Sequence, residues 1–473
     1  MKLNKIMLIA GFAALVTLQT SCRENEYGTV DLTMPSDEPT DDPIEAQYTY
    51  DHPCAMYSQA DFDRVKASLD EGTAPQAVQD AFTELTNSQF AQLSYQARPQ
   101  EWIVRGDATG TPPGVENYAY AMRDAASAYQ QALLWKLTGN DQYAAAAVRT
   151  LNAWAVTCKG ITSNDSNQAL AAGAQGYTFA CAAEILLDYD GWSDADINTF
   201  KQWMVDVFAS KNIDFLETHG GSNNCPLHYW SNWDLVNMCS YLAIGILTEN
   251  DEMVNYVVNY FYTGAGNGCI DNLIQGHHTD PLGTGEEIYQ NQESGRDQGH
   301  AEMSAMVAAN LAQMAYTLWT KNQSVSQLDF FSAEDNALMK MGEYVALSNL
   351  RNGYDNANAT GQWLIAATEM PFNTYYYCVD CTCRDKNHGA THTQLANDEG
   401  RGSVRPGWEI YLNHYKKIKG LSSGYTYIEQ FADKLRPECG PGESQNRYAD
   451  EKGNLNSGAF DQLGWGTLML YTE

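Results

Sequence analysis

The feature that most restricts this chain is a succession of amphipathic stretches with helical period, joined in pairs by short polar turns. Met122, Ala125, Ala126, Tyr129, Leu133 and Leu137 recur at the spacing of one helix face. Thr138-Gly139-Asn140-Asp141 then stops that helix and starts another. Further helices are predicted over 143–154 and 172–189, and from a cap at Ser193 or Asp194 to about Ser210. The theme continues over 233–247, 251–262, 299–319 and 333–350. Short turns between such stretches make antiparallel hairpins. Many hairpins without a fixed-length repeat predict an all-α fold, an (α/α) toroid or barrel, in preference to a regular solenoid. The tail after Ser422, with Gly464-Trp465-Gly466-Thr467, either forms a small β-rich or irregular appendage or covers the barrel end.

The N-terminus reads as an export signal. Lys2 and Lys5 precede an apolar run over 7–18 that is too short to span a bilayer. Thr20-Ser21-Cys22 follows, which resembles a bacterial lipoprotein signal with Cys22 as the lipidated residue. The next segment is rich in Asp, Glu, Pro and Thr and lacks periodicity, so it reads as a solvated tether. The expected organisation is a signal over 1–22, a tether over 23–50 and one catalytic-size domain over 51–473. Such a chain is exported to the periplasm or cell surface, held at the outer membrane only by its lipid, and expected to be monomeric.

Charge narrows the partners. There are 28 Lys+Arg against 59 Asp+Glu, a net charge of −31. Nucleic acid is excluded, because its binding needs clustered cations. A polyanion of another kind is not excluded, because the field in a cleft depends on local placement. Arg384, Lys386, Arg401 and Arg405 lie in or beside one long loop, and Arg296 lies in a second candidate segment.

Eleven cysteines leave ten once Cys22 is set aside, an even number compatible with disulfides after export. Cys378, Cys381 and Cys383, with His388 nearby, lack a second paired cluster, so a disulfide-stiffened loop is expected there and not a metal site. Cys158, Cys181 and Cys239 lie in apolar helical stretches and read as buried thiols. No metal and no cofactor is expected: His277 and His278 are adjacent and would point apart, and no phosphate-binding glycine loop follows a strand.

Three long stretches break the helical pattern, over 219–229, 264–295 and 371–406, and loops of that kind on a helical scaffold carry function. Five of the nine histidines, His219, His228, His277, His278 and His300, fall between 219 and 300. One segment, Asn223-Asn224-Cys225-Pro226-Leu227-His228-Tyr229-Trp230-Ser231-Asn232-Trp233-Asp234, combines amides, an imidazole and flat aromatic faces that suit sugar rings. A second, from Tyr289 through Glu293, Arg296 and Asp297 to His300, enters a helix; were Arg296 helical, it would share a face with His300. Taken singly, Arg296 has an ion pair with Glu293 or Asp297 as its plain reading, Tyr289 has packing, and Trp408 and Glu409 have helix packing.

The same residues carry a resemblance. Asp124-Ala-Ala-Ser-Ala-Tyr129, Leu133-Leu-Trp-Lys-Leu-Thr-Gly-Asn140, Leu151-Asn-Ala-Trp154, Ala182-Ala-Glu-Ile-Leu186 and Gly191-Trp192-Ser193 resemble the alginate lyase superfamily. So do Ser294-Gly-Arg-Asp-Gln-Gly-His300, Arg405-Pro-Gly-Trp-Glu409, Asn413-His-Tyr415 and Asn456-Ser-Gly-Ala-Phe-Asp-Gln-Leu-Gly464. The order of these motifs is the stronger signal, and within the superfamily the chain is most similar to lipoprotein members of polysaccharide lyase family 38. The resemblance implies a barrel of helical hairpins and β-elimination in a polyuronate, alginate or glucuronan. It implies Tyr289 as acid, with the base role open to it as well, and His228 or His300 as the second proton-transfer group. Asn232 or Asn224 and Arg296 would neutralise the substrate carboxylate. Trp233, Arg405 and Trp408 would line subsites. Two other readings stay open: a glycoside hydrolase using carboxylates among Glu286, Glu287, Glu293 and Asp297, and a surface glycan-binding lipoprotein without catalysis.

Overall fold

The computed structural model describes residues 43–106, 114–219, 226–352, 361–378, 389–397, 400–402, 405–440 and 460–473. Cys22, Asn224 and the loop cations Arg384 and Lys386 therefore lie outside the described residues.

Fifteen helices occur among the described residues: α1 Gln59–Asp70, α2 Gln76–Asn87, α3 Ala119–Thr138, α4 Asp141–Thr157, α5 Asn167–Ile185, α6 Asp194–Trp203, α7 Ser210–Thr218, α8 Ser231–Thr248, α9 Asp251–Thr263, α10 Ile270–Leu273, α11 Gln298–Trp319, α12 Ala333–Asn349, α13 Trp408–Leu412, α14 Thr426–Leu435 and α15 Gly466–Leu470. A π-helical turn over Met204–Ala209 joins α6 to α7, so the predicted helix ending near Ser210 runs on to Thr218. Three two-stranded ribbons complete the structure. β1 Trp102–Val104 pairs in parallel with β2 Gly160–Thr162. β3 Ile274–Thr279 and β4 Glu287–Asn291 form an antiparallel hairpin, as do β5 Tyr375–Cys378 and β6 Gly389–His392. The β3–β4 hairpin lies in a stretch read from the sequence only as non-helical.

The architecture is an (α/α) toroid. α3, α5, α8 and α11 are buried along nearly their whole length, while α4, α6 and α9 bury one face. The two classes alternate because each short turn reverses the chain. Small residues make the inner wall tight. A Cβ on Gly173 would lie 2.9 Å from the Val236 backbone, and one on Gly176 would lie 2.1 Å from Ser240 Oγ. α5 can approach α8 that closely only without those side chains. The C-terminal α15 packs against α1, α2 and α13. The described part of the tail thus covers that side of the ring and is helical, not β-rich.

The domain begins earlier than expected. Residues assigned to the tether are bonded to α9 and beyond: Ile44 N to Asn259 Oδ1 at 2.7 Å, Ala46 N to Asn255 Oδ1 at 3.1 Å and Thr49 N to Asn322 Oδ1 at 2.8 Å. Amides on the exposed face of an outer helix supply the partners that this irregular backbone needs. No helix among the described residues is long and apolar enough to cross a membrane.

Cys158, Cys181 and Cys239 are the buried thiols that the sequence predicts, whereas Cys54 and Cys269 depart from the disulfide expectation. Cys54, Cys158, Cys181, Cys239 and Cys269 are free and buried, and Cys439 is buried. Each is held inside its own packing environment, where a thiol behaves as a small apolar group. The expectation for Cys381 and Cys383 falls outside the described residues.

Candidate active site

The first turns of the inner helices gather at one end of the toroid. Ser166, just before α5, meets the hydroxyl of Tyr229, just before α8. Gln292 Oε1 accepts from Ser231 N at the start of α8 at 3.0 Å. Arg405 Nε donates to the Gly299 carbonyl in the first turn of α11 at 3.0 Å. Helix starts carry unpaired N–H groups and partial positive charge, so this end favours an anionic ligand despite the chain's acidity.

Glu293 organises that end. Its carboxylate is fully buried and accepts from Asn232 N at 2.9 Å, Asn232 Nδ2 at 2.6 Å and Ser304 Oγ at 3.0 Å. Its other oxygen takes Arg296 Nη1 at 3.0 Å. One carboxylate thus caps α8 from a distance, ties it to α11 and aims a guanidinium. Arg296 itself precedes the helix; Asp297 is the N-cap and accepts from His300 N at 2.8 Å. The expected same-face pairing arises all the same, through the loop, with Arg296 Nη2 3.3 Å from His300 Nε2.

Asp297 Oδ2 lies 2.7 Å from His300 Nδ1. Burial pushes the Asp297 carboxyl up, but the hydrogen bond and charge of His300 outweigh it and hold it below the usual range. In the neutral ring an ionised Asp297 holds the His300 proton on Nδ1, and the Nε2 lone pair accepts from Arg296 Nη2. The His300 side chain is 39% exposed and Arg296 25%, so both reach the open end.

An aromatic wall stands beside them. The Arg296 guanidinium lies 4.8 Å from the Trp230 ring centre, Trp230 is 5.6 Å from His392, and His392 is 5.1 Å from Tyr375. Gly295 makes this approach possible, since a Cβ there would lie 2.5 Å from the His392 side chain. Gly295 N donates to Tyr375 Oη at 3.2 Å, and Tyr375 Oη donates to the Gln292 carbonyl. Ala396 N donates to the Ser294 carbonyl at 2.9 Å, so the segment that follows β6 is bound to the Arg296 segment.

Asn232, Arg296 and His300 are therefore brought together, with Asn232 buried under Glu293 and not open to a ligand. His228 lies in the approach to α8, its ring 4.8 Å from Tyr229. Arg405 is beside the start of α11, in an ion pair with Asp461 at 2.9 Å. Trp233 turns toward α7 and packs on Phe215 and Tyr229. The contacts of Tyr289 are with other residues than Asn232, Arg296 and His300. On β4 its neighbour Gln290 bonds His278 and Asn373, whereas Tyr289 bonds Glu287 at 3.3 Å and Lys340 of α12 at 3.2 Å and stacks on His277. Alternation along a strand sends the side chains of Tyr289 and Gln290 to opposite faces. Burial pushes its hydroxyl pKa up, and Lys340 only partly offsets this.

Trp408 needs correction: it is 0% exposed and stacks on Phe431 at 4.3 Å, so it packs the core and lines no subsite. Arg401 also serves structure, donating to the Ser348 and Ile365 carbonyls. His219 is a buried partner of Asp234 at 3.2 Å. The sequence did not single out Tyr375 or His392; their signal was only that they fall in the longest non-helical stretch.

Comparison with known proteins agrees with this architecture. A family model described as alginate lyase matches residues 89–353. No match is found among curated proteins. Among solved structures, alginate lyase A1-III from Sphingomonas species A1 is 13% identical and aligns over 89% of this chain and 99% of its own, with a TM-score of 0.50. A histidine-to-alanine variant of A1-III complexed with tetrasaccharide is 12% identical, over 89% of this chain and 98% of its own, with a TM-score of 0.47. An alginate lyase from Bacteroides ovatus is 10% identical, over 80% of this chain and 96% of its own, with a TM-score of 0.47. The family model spans more than half of the chain, and the toroid found here is the fold of the first of these lyases; the chain belongs to the alginate lyase family.

Proposed function

We propose that the protein cleaves a polyuronate, alginate or glucuronan, by β-elimination, leaving an unsaturated uronate at the new end. The observation that carries this reading is the pairing of Arg296 with His300, Arg296 held by Glu293 and Asp297 and His300 by Asp297. The C5 proton of a uronate is poorly acidic while the adjacent carboxylate is charged. A fixed guanidinium and the starts of α8 and α11 lower the charge that develops there as the proton leaves. As Arg296 Nη2 turns from His300 to the substrate carboxylate, the Nε2 lone pair is freed and takes the proton. Where C5–H and O4 lie on one face of the ring, the same imidazolium returns the proton to O4. Where they lie on opposite faces, a second donor is required, and His228 is on the same approach to α8. Trp230 offers the sugar ring a flat surface beside the cation.

Of the four carboxylates that the hydrolase reading offered, Glu286 alone has no partner among the described residues that commits it, one short of the two required. Glu293 is fully buried with its oxygens bonded, Asp297 is bound to His300, and Glu287 pairs with Lys340 at 2.8 Å. A hydrolase needs two carboxyl groups free to face the bond. The assignment to polysaccharide lyase family 38, export and lipidation at Cys22, and a monomeric state belong to the same proposal. The test is incubation with polymannuronate, polyguluronate, glucuronan and a neutral glycan. Ultraviolet-absorbing product is expected from at least one polyuronate and none from the neutral glycan. New reducing ends without that absorbance would establish hydrolysis, and no product from any of them would leave only binding.

A further inference from the structure

At the other end of the inner helices lies a second cluster that the lyase site does not use. His52 and Cys54 sit where the N-terminal strap enters the domain. Glu184 is one residue before the end of α5, and Glu249 caps the end of α8. One ligand atom each from His52, Cys54 and Glu184 lie within 4.8 Å of one another. His52 Nδ1 is 3.0 Å from Glu184 Oε1 and 3.6 Å from Cys54 Sγ.

We propose that His52, Cys54 and Glu184 form a binding site for a divalent metal ion of the zinc class. The spacing fits the chemistry. Bonds of about 2.3 Å to sulfur and about 2.0 Å to nitrogen or oxygen, at tetrahedral angles, place S and N about 3.5 Å apart and N and O about 3.3 Å apart. The observed edges of 3.6 Å and 3.0 Å match these before any ion draws the groups together. A thiolate, an imidazole and a carboxylate together suit zinc better than calcium or magnesium, which take oxygen alone.

The surroundings are those of a metal-bound histidine. With Nδ1 toward the ion, the far nitrogen of His52 lies 3.3 Å from Glu249 Oε1, the carboxylate partner that orients such a ring. Cys54 and Glu184 are 3% and 1% exposed, whereas His52 is partly open and provides the way in. The ion would fasten the strap over 44–54 to the C-terminal ends of α5 and α8, at the opposite end of the helices from Arg296 and His300. Its effect is therefore on stability and not on elimination. The sequence concealed this set, because Glu184 is 130 residues from Cys54.

The test uses the full chain, stripped with chelator and reloaded with zinc or cobalt(II). The expected result is one ion per chain after gel filtration and a Tm higher by roughly 5 °C in the loaded form. Cobalt should give a thiolate-to-metal charge-transfer band in the near ultraviolet. Cys54→Ser should lose that band and His52→Ala should lose stoichiometric retention, with lyase activity unchanged in both. Should Cys54→Ser fail to fold, the band of the unaltered protein and the retention by His52→Ala decide the matter. Uptake well below one ion per chain, or undiminished uptake by either variant, overturns the proposal and leaves His52 as a bridge between two glutamates.

Discussion

Glu293→Gln is the most informative single change at the candidate active site. The substitution keeps shape and volume but puts an amide where a carboxylate holds five donors. With its oxygen toward Asn232 and Ser304, the amide nitrogen faces Arg296 Nη1 at 3.0 Å, donor against donor. The loss is one charge-assisted hydrogen bond, worth about 1.5–3 kcal/mol when buried. The Arg296 side chain is 25% exposed, so water recovers part of this. A net cost of about 2 kcal/mol in placing the guanidinium corresponds to about a 30-fold fall in kcat/KM. The assay is the initial rate of ultraviolet absorbance on the polyuronate that the protein cleaves fastest, with Tm measured alongside. Arg296→Lys should fall by a similar factor, because an ammonium cannot bridge Glu293 and His300 in the same way. A Glu293→Gln protein with reduced Tm but unaltered kcat/KM would refute the reasoning, since Glu293 would then serve only to join α8 to α11.

Other substitutions separate the remaining roles. His300→Gln should lower kcat by about 100-fold or more with little change in Tm, as expected for loss of a general base; near-normal turnover would remove His300 from the chemistry. Tyr289→Phe should keep kcat/KM within about twofold, because its hydroxyl is committed to Glu287 and Lys340; a loss above about 100-fold would return the acid role to it. Trp408→Ala should destabilise the fold by about 3–5 kcal/mol, read from denaturant midpoints, whereas raised KM with unchanged stability would place it at a subsite after all. Glu343 is raised by burial to about 8 although it accepts from Tyr427 N and Ile428 N. A raised folded-state value means its stabilising contribution is complete below the usual carboxylate range and is lost as pH rises toward about 8. Glu343→Gln, neutral throughout, should therefore lose less Tm than the unaltered protein between about pH 5 and about pH 9; equal slopes would show that Glu343 is ionised in the fold.

The sequence by itself determined the helical hairpins, because the period of apolar residues and the caps at Asn140, Ser193 and Asn250 act over a few neighbours. It also located the two segments that approach α8 and α11, because amides, imidazoles and aromatic rings are concentrated there. Strand alternation was equally local, and it correctly set His277 and His278 on opposite faces. It could not reveal which partners Tyr289 takes on its face of β4, which are Glu287, Lys340 and His277. That choice depends on α12, whose Lys340 draws the hydroxyl to its own side. Trp408 looked like a sugar platform for the same reason: only the packing of α14 behind it shows that no surface remains.

Net charge was legible as a sum, but a sum has no position. Tertiary structure decided that helix starts, Arg296 and His300 meet at one end while Arg401 is spent on backbone carbonyls. It also decided that Glu293, plain in sequence as an ion-pair partner for Arg296, is a buried hub shared by two helices. Local pattern specifies elements because its physics reaches one or two turns. Sites are specified by desolvated contacts between residues far apart in the chain, and those exist only once the toroid has closed.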